Sequence, residues 1–303
     1  MTIDFKGRVA IVTGAGGGLG RAHALALAAR GAKVLVNDLG GARDGSGGSL
    51  SAAEAVVAEI RAAGGEAIAN GASVTDFAAV QAMVDQAVAA WGRVDILVNN
   101  AGILRDKSFA KMELADFELV LQVHLMGAVH CNKAVWPIMN AQKYGRILMT
   151  TSSTGLFGNF GQANYGAAKL ALVGLMQTLA LEGAKNDIRV NCLAPTAYTR
   201  MTEGLMPQAT LDALQPEAVV PAMLVLVSKD APTRTTLCAG AGTFEAAHIT
   251  MTSGVWIGTD ANAPERLAAQ LAQVTDRTGD TVPQSGAAQG TNEIGKALQN
   301  AAR

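Results

Sequence analysis

The most informative segment for the fold class is Thr13-Gly14-Ala15-Gly16-Gly17-Gly18-Leu19-Gly20. It lies between an apolar run and a helical pattern. The run before it, RVAIVT at 8–13, has the length and β-branched content of a buried strand. The pattern after it covers 19–30 and ends at Gly31, a residue type common at helix ends. In such a turn, backbone N–H groups can approach a pyrophosphate, which the helix dipole also attracts. The stretch therefore predicts a dinucleotide-binding strand–turn–helix unit.

The same alternation of buried strand and helix continues along the chain. Strands are predicted at 33–38, 66–70, 94–100, 146–152 and 187–194, and helices at 50–63, 76–91, 114–141, 162–184 and 216–228. Pro137 is expected to perturb or end the long middle helix. Apolar strands separated by helices indicate a parallel sheet covered on both faces. We therefore predict an α/β, doubly wound (Rossmann) seven-stranded parallel sheet, with its last strand near 254–257.

The end of the chain differs in composition from the rest. After Ala261 it is rich in Ala, Gln and Thr and contains few large apolar residues. We predict a single Rossmann-type domain over 1–261. Residues 262–303 are predicted to be a C-terminal extension that is mobile or docks on the body or on a partner subunit.

Composition limits the partners and the compartment. The chain has 303 residues with 24 Lys and Arg against 25 Asp and Glu, so it has no basic excess for nucleic acid. No apolar run reaches the roughly 18 residues of a membrane span, and the charged N-terminus does not resemble a secretion signal. The three cysteines, Cys131, Cys192 and Cys238, are far apart, which argues against structural metal and weakly for a reducing compartment. We expect a cytoplasmic protein that binds neither nucleic acid nor membrane.

A carboxylate ends the second predicted strand. Asp38 lies 38 − 14 = 24 positions after Gly14, close to the spacing of a carboxylate that binds the adenosine ribose 2′-hydroxyl. Its charge would repel a 2′-phosphate, which favours NAD over NADP; the alternative is a turn or cap residue. Asn99-Asn100-Ala101-Gly102 ends another strand at the same sheet edge, and glycine there suits a backbone that passes close to a ligand.

One tyrosine has a lysine four residues later. Tyr165 and Lys169 would share one face of a helix, and Ser152 ends a predicted strand. An ammonium ~4 Å from a phenol favours the phenolate by about 4 kcal/mol at an effective dielectric of 20. That is roughly three pKa units, enough to make Tyr165 a general acid/base near neutral pH. The alternative for the spacing alone is an ordinary structural helix.

TGAGGGLG, NNAG, Ser152 and Tyr165-x-x-x-Lys169 together resemble the short-chain dehydrogenase/reductase family over about residues 5–260. The resemblance implies that Tyr165 is the acid/base, that Lys169 also holds the nicotinamide ribose and that Ser152 orients the substrate. It further implies a homodimer or homotetramer without a metal. The cofactor contacts that it implies are Gly14, Gly16, Gly18, Leu19, Gly20, Asp38, Leu39, Ser73, Val74, Asn100, Ala101, Gly102, Tyr165, Lys169 and Pro195.

Longer stretches narrow the resemblance. NDLGG at 37–41, NNAGILRD at 99–106, VHLMGA at 123–128, GNFGQANYGAAK at 158–169 and APTAYTRMTEGLMP at 194–207 resemble the (3R)-hydroxyacyl-CoA dehydrogenase units of type 2 peroxisomal multifunctional enzymes. Those units also act as 17β-hydroxysteroid dehydrogenases. The resemblance implies a free-standing, bacterial-style enzyme that interconverts (3R)-3-hydroxyacyl-CoA and 3-oxoacyl-CoA with NAD, on fatty or sterol side chains.

Several residues around this resemblance have two interpretations. The Gly/Ser-rich insertion at 40–49 matches the same units, or it is simply a flexible surface loop. Met201 and Met206 suit an apolar acyl or sterol surface, or ordinary packing. Arg200 or Lys107 would meet CoA phosphates, or be a solvated charge.

The chain also departs from the family. His124 stands where many relatives have an Asn that relays protons to the Lys, so it either supports that relay or is an ordinary helix histidine. Ala72 stands where relatives often place an Asp against adenine, so backbone groups near Ser73 would recognise the base.

Three other functions remain open. A 17β-hydroxysteroid dehydrogenase is the nearest alternative. A reductive fatty-acid ketoreductase is less favoured, because Asp38 disfavours NADPH. A catalytically silent NAD-binding module is disfavoured, because it would need none of Ser152, Tyr165 and Lys169 together.

Overall fold

A sheet of eight strands forms the centre of the computed structural model, which describes residues 2–42, 44–197 and 212–301. The strand order is β3-β2-β1-β4-β5-β6-β7-β8; β1 to β7 are parallel and β8 is antiparallel to β7. The strands are β1 (Val9–Thr13), β2 (Lys33–Asn37), β3 (Glu66–Asn70), β4 (Ile96–Asn99), β5 (Gly145–Thr150), β6 (Ile188–Thr196), β7 (Thr236–Gly240) and β8 (Thr243–Ala247).

Helices cover both faces of this sheet. They are α1 (Gly18–Ala29), α2 (Ser51–Ala62), α3 (Phe77–Trp91), α4 (Leu114–Leu121), α5 (Gly127–Gln142), α6 (Ser153–Phe157), α7 (Ala163–Gly183) and α8 (Val220–Leu226). Helices α1, α2 and α8 bury apolar side chains in one core cluster, and α3, α5 and α7 bury theirs in another. The strands supply apolar residues to both clusters, which explains why they read as continuous apolar runs. The doubly wound α/β fold predicted from the sequence is confirmed.

The sheet ends in a hairpin that the sequence-based prediction missed. Ala241 and Gly242 have φ angles of 49° and 75°, and the flanking residues Gly240 and Thr243 pair across the turn. Two positive φ angles characterise the tight turns whose twist matches paired strands. The prediction of a last strand at 254–257 was wrong: those residues form no strand, and Gly254 has a φ of 70°, outside the extended region. The sheet therefore has eight strands rather than seven.

The long middle helix is interrupted, but not at its proline. A π-helical turn, Gln122–Met126, separates α4 from α5, while Pro137 lies inside α5, which continues to Gln142. The expectation that Pro137 ends the helix was wrong. Single π turns inside helices often mark functional sites, and this one carries the buried His124. Further on, the helix predicted at 216–228 is a 3₁₀ turn, Pro216–Ala218, followed by the shorter α8.

Helix α7 with the turn after it, Ala163–Asn186, is long and apolar enough to cross a membrane by length and mean hydropathy. The sequence led us to expect no such segment. The helix packs against β6, α4 and α6, and its Leu172 and Met176 are buried in the core. It is therefore the core helix of the sheet's second face.

The contacts divide the chain into two compact units, Met1–Ala247 and His248–Arg303. The division falls before the boundary predicted at Ala261. The second unit contains α9 (Ala263–Ala269), α10 (Leu271–Val274) and α11 (Ala287–Ala301), and none of its described residues is buried. Docking of residues 262–303 stays a prediction.

Candidate active site

The sheet order reverses between β1 and β4, and ligands of doubly wound sheets bind at the carboxyl ends of strands beside such a reversal. A cavity of about 590 Å³ lies at this edge. Of the residues predicted to form the site, the cavity is lined by Gly14, Gly18, Leu19, Asp38, Leu39, Ser73, Val74, Asn100, Ala101, Gly102, Ser152, Tyr165, Lys169 and Pro195.

Gly16 and Gly20 do not line the cavity, but close packing requires glycine at both positions. A Cβ at Gly20 would lie 2.2 Å from the carbonyl oxygen of Gly14, and one at Gly16 would lie 2.8 Å from the Asp38 carboxyl. Gly14 itself has a φ of 64°, and a Cβ there would lie 2.7 Å from the Ala101 Cα. The turn from β1 to α1 is thus a cradle of bare backbone, a shape that suits a pyrophosphate.

The Asp38 carboxylate is fixed by this turn. Its Oδ2 accepts a hydrogen bond of 2.7 Å from the Gly16 N–H, and its Oδ1 accepts one of 2.6 Å from the Gly40 N–H. The carboxylate is half-buried and faces the cavity. Its acceptor oxygens suit the hydroxyls of a ribose, so the bare backbone turn and this carboxylate together fit the adenosine half of a dinucleotide.

Thr13 organises the neighbouring strand end, a role that the sequence-based prediction missed. Its Oγ1 accepts hydrogen bonds from the N–H groups of Asn100 (3.1 Å) and Ala101 (3.2 Å). The Asn100 side-chain amide in turn donates to the carbonyl oxygens of Thr13 and Gly14. These bonds clamp the end of β1 to the end of β4. The signal was available: a hydroxyl residue ends β1 directly before the first glycine.

Ser152, which follows β5, and Tyr165, which lies on α7, both line the cavity. Ser152 is the N-cap of α6, where its Oγ accepts a hydrogen bond of 3.1 Å from the Thr154 N–H. Burial raises the pKa of the Tyr165 phenol, the Ser152 hydroxyl lowers it, and Asp106 raises it further. A phenol and a hydroxyl therefore face the same cavity, as an acid/base and an oxygen-orienting group must.

Lys169 is buried one helical turn beyond Tyr165. Its Nζ donates a hydrogen bond to the carbonyl oxygen of Thr150, and its own carbonyl oxygen accepts one of 2.6 Å from the Thr151 hydroxyl. Burial lowers the pKa of Lys169 to about 7. We expected Lys169 to lower the pKa of Tyr165 from about 4 Å away. Instead burial is the largest effect, so the pKa of Tyr165 is raised; Nζ lies 5.5 Å from the centre of its ring.

His124 packs edge-on against Tyr165, with ring centres 5.2 Å apart. Its Nε2 lies within hydrogen-bond distance of the Ile103 backbone, and within the described residues its Nδ1 has no partner. Burial, aided by the charge of Lys169, lowers the pKa of His124 to about 3, so the ring is neutral. The structure thus brings His124 to the catalytic residues; its part in a proton relay stays a prediction.

Two polar side chains that we had not singled out also line this cavity. The Gln162 side-chain amide donates a hydrogen bond of 2.8 Å to the Asp106 carboxylate. Ala72 lines the cavity beside Ser73, and recognition of adenine by backbone groups there stays a prediction. Arg200, Met201 and Met206 lie outside the described residues.

The fold and the site define a dinucleotide-dependent oxidoreductase. A family model described as short chain dehydrogenase matches residues 8–209. The chain belongs to the short-chain dehydrogenase/reductase family, whose members oxidise CH–OH groups or reduce the corresponding carbonyl groups with a nicotinamide dinucleotide.

The chain is similar to parts of larger peroxisomal enzymes. The chain is similar to the peroxisomal hydratase-dehydrogenase-epimerase of Saccharomyces cerevisiae, at 55% identity over 224 residues, 74% of this chain and 25% of the relative. The structure of full-length peroxisomal multifunctional enzyme type 2 from Drosophila melanogaster is 35% identical with a TM-score of 0.81, and the match covers 98% of this chain and 50% of that one. The chain thus spans a quarter to a half of these relatives.

A smaller dehydrogenase is also similar. The structure of a 7α-hydroxysteroid dehydrogenase complexed with NADH and 7-oxo glycochenodeoxycholic acid has a TM-score of 0.71 and 31% identity, over 79% of this chain and 95% of that one. Its bound NADH agrees with a nicotinamide dinucleotide as the cofactor of this family.

Proposed function

We propose that the chain is an NAD-dependent (3R)-3-hydroxyacyl-CoA dehydrogenase that interconverts (3R)-3-hydroxyacyl-CoA and 3-oxoacyl-CoA. The observation that carries the proposal is a single cavity that contains both the Asp38 carboxylate and the Ser152, Tyr165 and Lys169 side chains. The similarity to type 2 multifunctional enzymes supports the thioester as substrate.

NAD rather than NADP follows from Asp38. Two backbone hydrogen bonds fix the position of the Asp38 carboxylate, and its negative charge would repel a 2′-phosphate. Backbone N–H groups of the glycine-rich turn would hold the pyrophosphate, and Lys169 would hold the nicotinamide ribose. When bound, the nicotinamide supplies the acceptor or donor of the hydride.

The protein's own residues handle the proton. In oxidation, Tyr165 takes the hydroxyl proton of the substrate, while Ser152 donates a hydrogen bond to the oxygen that becomes the carbonyl. Because burial penalises a lone phenolate, the nearby ammonium of Lys169 must stabilise it. Ile103, Leu104, Leu119 and Val123 line the same cavity and offer apolar surface to an acyl or sterol chain.

The test follows NADH absorbance at 340 nm with matched (3R)- and (3S)-3-hydroxyacyl-CoA and then estradiol, each with NAD and with NADP. Turnover of the (3R) thioester with NAD supports the proposal. Turnover of estradiol alone would make the protein a 17β-hydroxysteroid dehydrogenase, the second candidate, which the apolar lining and the similar steroid dehydrogenase favour. Strong preference for NADPH would favour a ketoreductase. If no substrate is turned over while NADH still binds, the result would favour a catalytically silent NAD-binding module.

We also propose a homodimer or homotetramer, because large apolar side chains such as Leu114, Phe157 and Phe160 are exposed near α4, α6 and α7. Light scattering on the purified chain measures the oligomeric state, and a monomer at all concentrations would contradict it. The cytoplasm is the proposed compartment, and cell fractionation tests this.

A further inference from the structure

The described residues of the insertion at 40–49, which are 40–42 and 44–49, form an insertion loop that begins two residues after Asp38, and backbone contacts join its ends. The Ser49 N–H donates a hydrogen bond of 2.9 Å to the carbonyl oxygen of Leu39. Gly40 has a φ of 72°, and a Cβ there would lie 1.8 Å from the Ser49 carbonyl oxygen. The two ends of the loop therefore touch, and the described residues between them form a compact turn rather than an extended tether.

The loop contacts the active-site cavity. Gly41, Ala42 and Gly45 line it together with Ile103, which follows β4. A Cβ at Gly45, whose φ is 90°, would lie 3.3 Å from the Ile103 Cγ2. The backbone of the loop thus packs against Ile103. The backbone N–H of Ile103 in turn contacts the His124 ring.

Arg105 connects this loop to the catalytic elements. Its Nε donates a hydrogen bond of 2.8 Å to the carbonyl oxygen of Asp44, and its Nη1 pairs at 2.8 Å with Asp116 on α4. Its backbone oxygen accepts a hydrogen bond of 3.0 Å from the side chain of Asn164, the residue before Tyr165. The Arg105 guanidinium therefore contacts the loop, while the Arg105 backbone is hydrogen-bonded to Asn164 on α7.

We propose that the insertion loop is a wall of the dinucleotide site and that Arg105 is the positioning residue that holds this wall in place. The loop starts two residues after Asp38 and reaches Ile103, so it flanks the path from the ribose end to the catalytic end. The inference rests on the nicotinamide dinucleotide site alone and does not depend on the acyl-CoA substrate.

The experiment uses Arg105→Gln and, as a matched control, Lys107→Gln. Lys107 pairs with the same Asp116 carboxylate at 3.6 Å but makes no described contact with the loop. NADH affinity is measured by fluorescence titration without substrate, and amide hydrogen exchange is measured over 39–50 without cofactor. We expect Arg105→Gln to weaken NADH binding about 3- to 10-fold, the effect of one lost hydrogen bond, and to speed exchange in the loop. Lys107→Gln should change neither.

A second variant, Gly45→Ala, tests the loop without touching Arg105. The added methyl group meets Ile103 and strains a residue at positive φ, so the loop should lift and NADH binding should weaken, while the melting temperature stays near that of the wild type. In both Arg105→Gln and Gly45→Ala, kcat at saturating NAD should change less than the KM for NAD.

Two results would overturn the proposal. One is wild-type NADH affinity and loop exchange in both Arg105→Gln and Gly45→Ala. The other is an equal loss in Lys107→Gln, which would assign the effect to the Asp116 ion pair. If Arg105→Gln fails to fold, Gly45→Ala decides. Because NADH binding needs no substrate, failure of the acyl-CoA assay would leave this result intact.

Discussion

The Lys169 ammonium nitrogen lies 5.5 Å from the centre of the Tyr165 ring; the Lys169 side chain is buried and the Tyr165 side chain is partly buried. Burial acts on the two in opposite directions: it raises the pKa of the phenol and lowers the pKa of the amine to about 7. Each group is thus poorly charged alone, and each charge stabilises the other when a proton leaves Tyr165.

Replacing Tyr165 by Phe should lower kcat/KM by about 10²- to 10⁴-fold, the usual contribution of a general acid/base. NADH affinity should fall far less than kcat/KM, because the ring and its packing against His124 remain. Steady-state kinetics and fluorescence titration measure the two effects. Tyr144→Phe is the control: that ring stacks between Arg8 and Arg146 outside the cavity, and its loss of a hydroxyl should leave kcat/KM near wild type. Near-normal turnover by Tyr165→Phe would refute the acid/base role.

Replacing Asp38 by Asn should change the choice of cofactor. The neutral amide removes the repulsion of a 2′-phosphate, so the ratio of kcat/KM with NADP to that with NAD should rise by at least about tenfold, or 1.4 kcal/mol. The Asp44→Asn variant removes the same charge from the exposed insertion loop and should leave the ratio nearly unchanged. An unchanged ratio in Asp38→Asn would show that another group selects the cofactor.

A methyl group at Gly20 should abolish NADH binding without unfolding the sheet. It would lie 2.2 Å from the Gly14 carbonyl oxygen and 2.6 Å from the Asn100 side-chain nitrogen, so the glycine-rich turn must open. Gly174→Ala is the control, since a Cβ at that position of α7 meets nothing within 4 Å and alanine favours a helix by about 1 kcal/mol. Titration with NADH and thermal melting distinguish the two, and normal binding by Gly20→Ala would contradict the close packing.

His23 should make the protein sensitive to acid. It is fully buried on α1, neither ring nitrogen has a partner within the described residues, and burial lowers its pKa to about 4. The unfolded chain binds this proton near pH 6.5, so stability falls as the pH drops from there towards 4. At pH 5 the loss is about 2 kcal/mol, and His124 adds a loss of the same sign.

Urea unfolding at pH 7.5 and pH 5 measures this effect. His23→Leu should lose about 2 kcal/mol less than the wild type between the two pH values. His248→Leu, at an exposed position, should behave as the wild type. An equal loss in all three proteins would place the acid sensitivity elsewhere.

Short-range patterns predicted a large part of this molecule. The first strand, the glycine-rich turn and α1 were predicted together because their residues are neighbours along the chain. Tyr165 and Lys169 were predicted to share a helix face because their spacing matches the helical repeat. The β7–β8 hairpin was missed, although Gly240-Ala241-Gly242 is a turn signal, because the strands beside it are short and weakly apolar.

Other features depend on residues far apart in sequence. The π turn at His124 and the bond from Gln162 to Asp106 cannot be deduced from local propensity, because each depends on which segments pack together. The same holds for Arg105, whose side chain bonds to Asp44 across the cavity's rim.

Local patterns in the sequence predicted the first six strands with the helices between them, the family, and the residues that we expect to carry the chemistry. They did so because dihedral preferences and side-chain spacing act over a few residues. Tertiary packing sets the pKa values of Lys169 and Tyr165, which the sequence did not predict. Whether Lys169 is charged depends on how completely distant segments exclude water from it, and the same packing partly buries Tyr165.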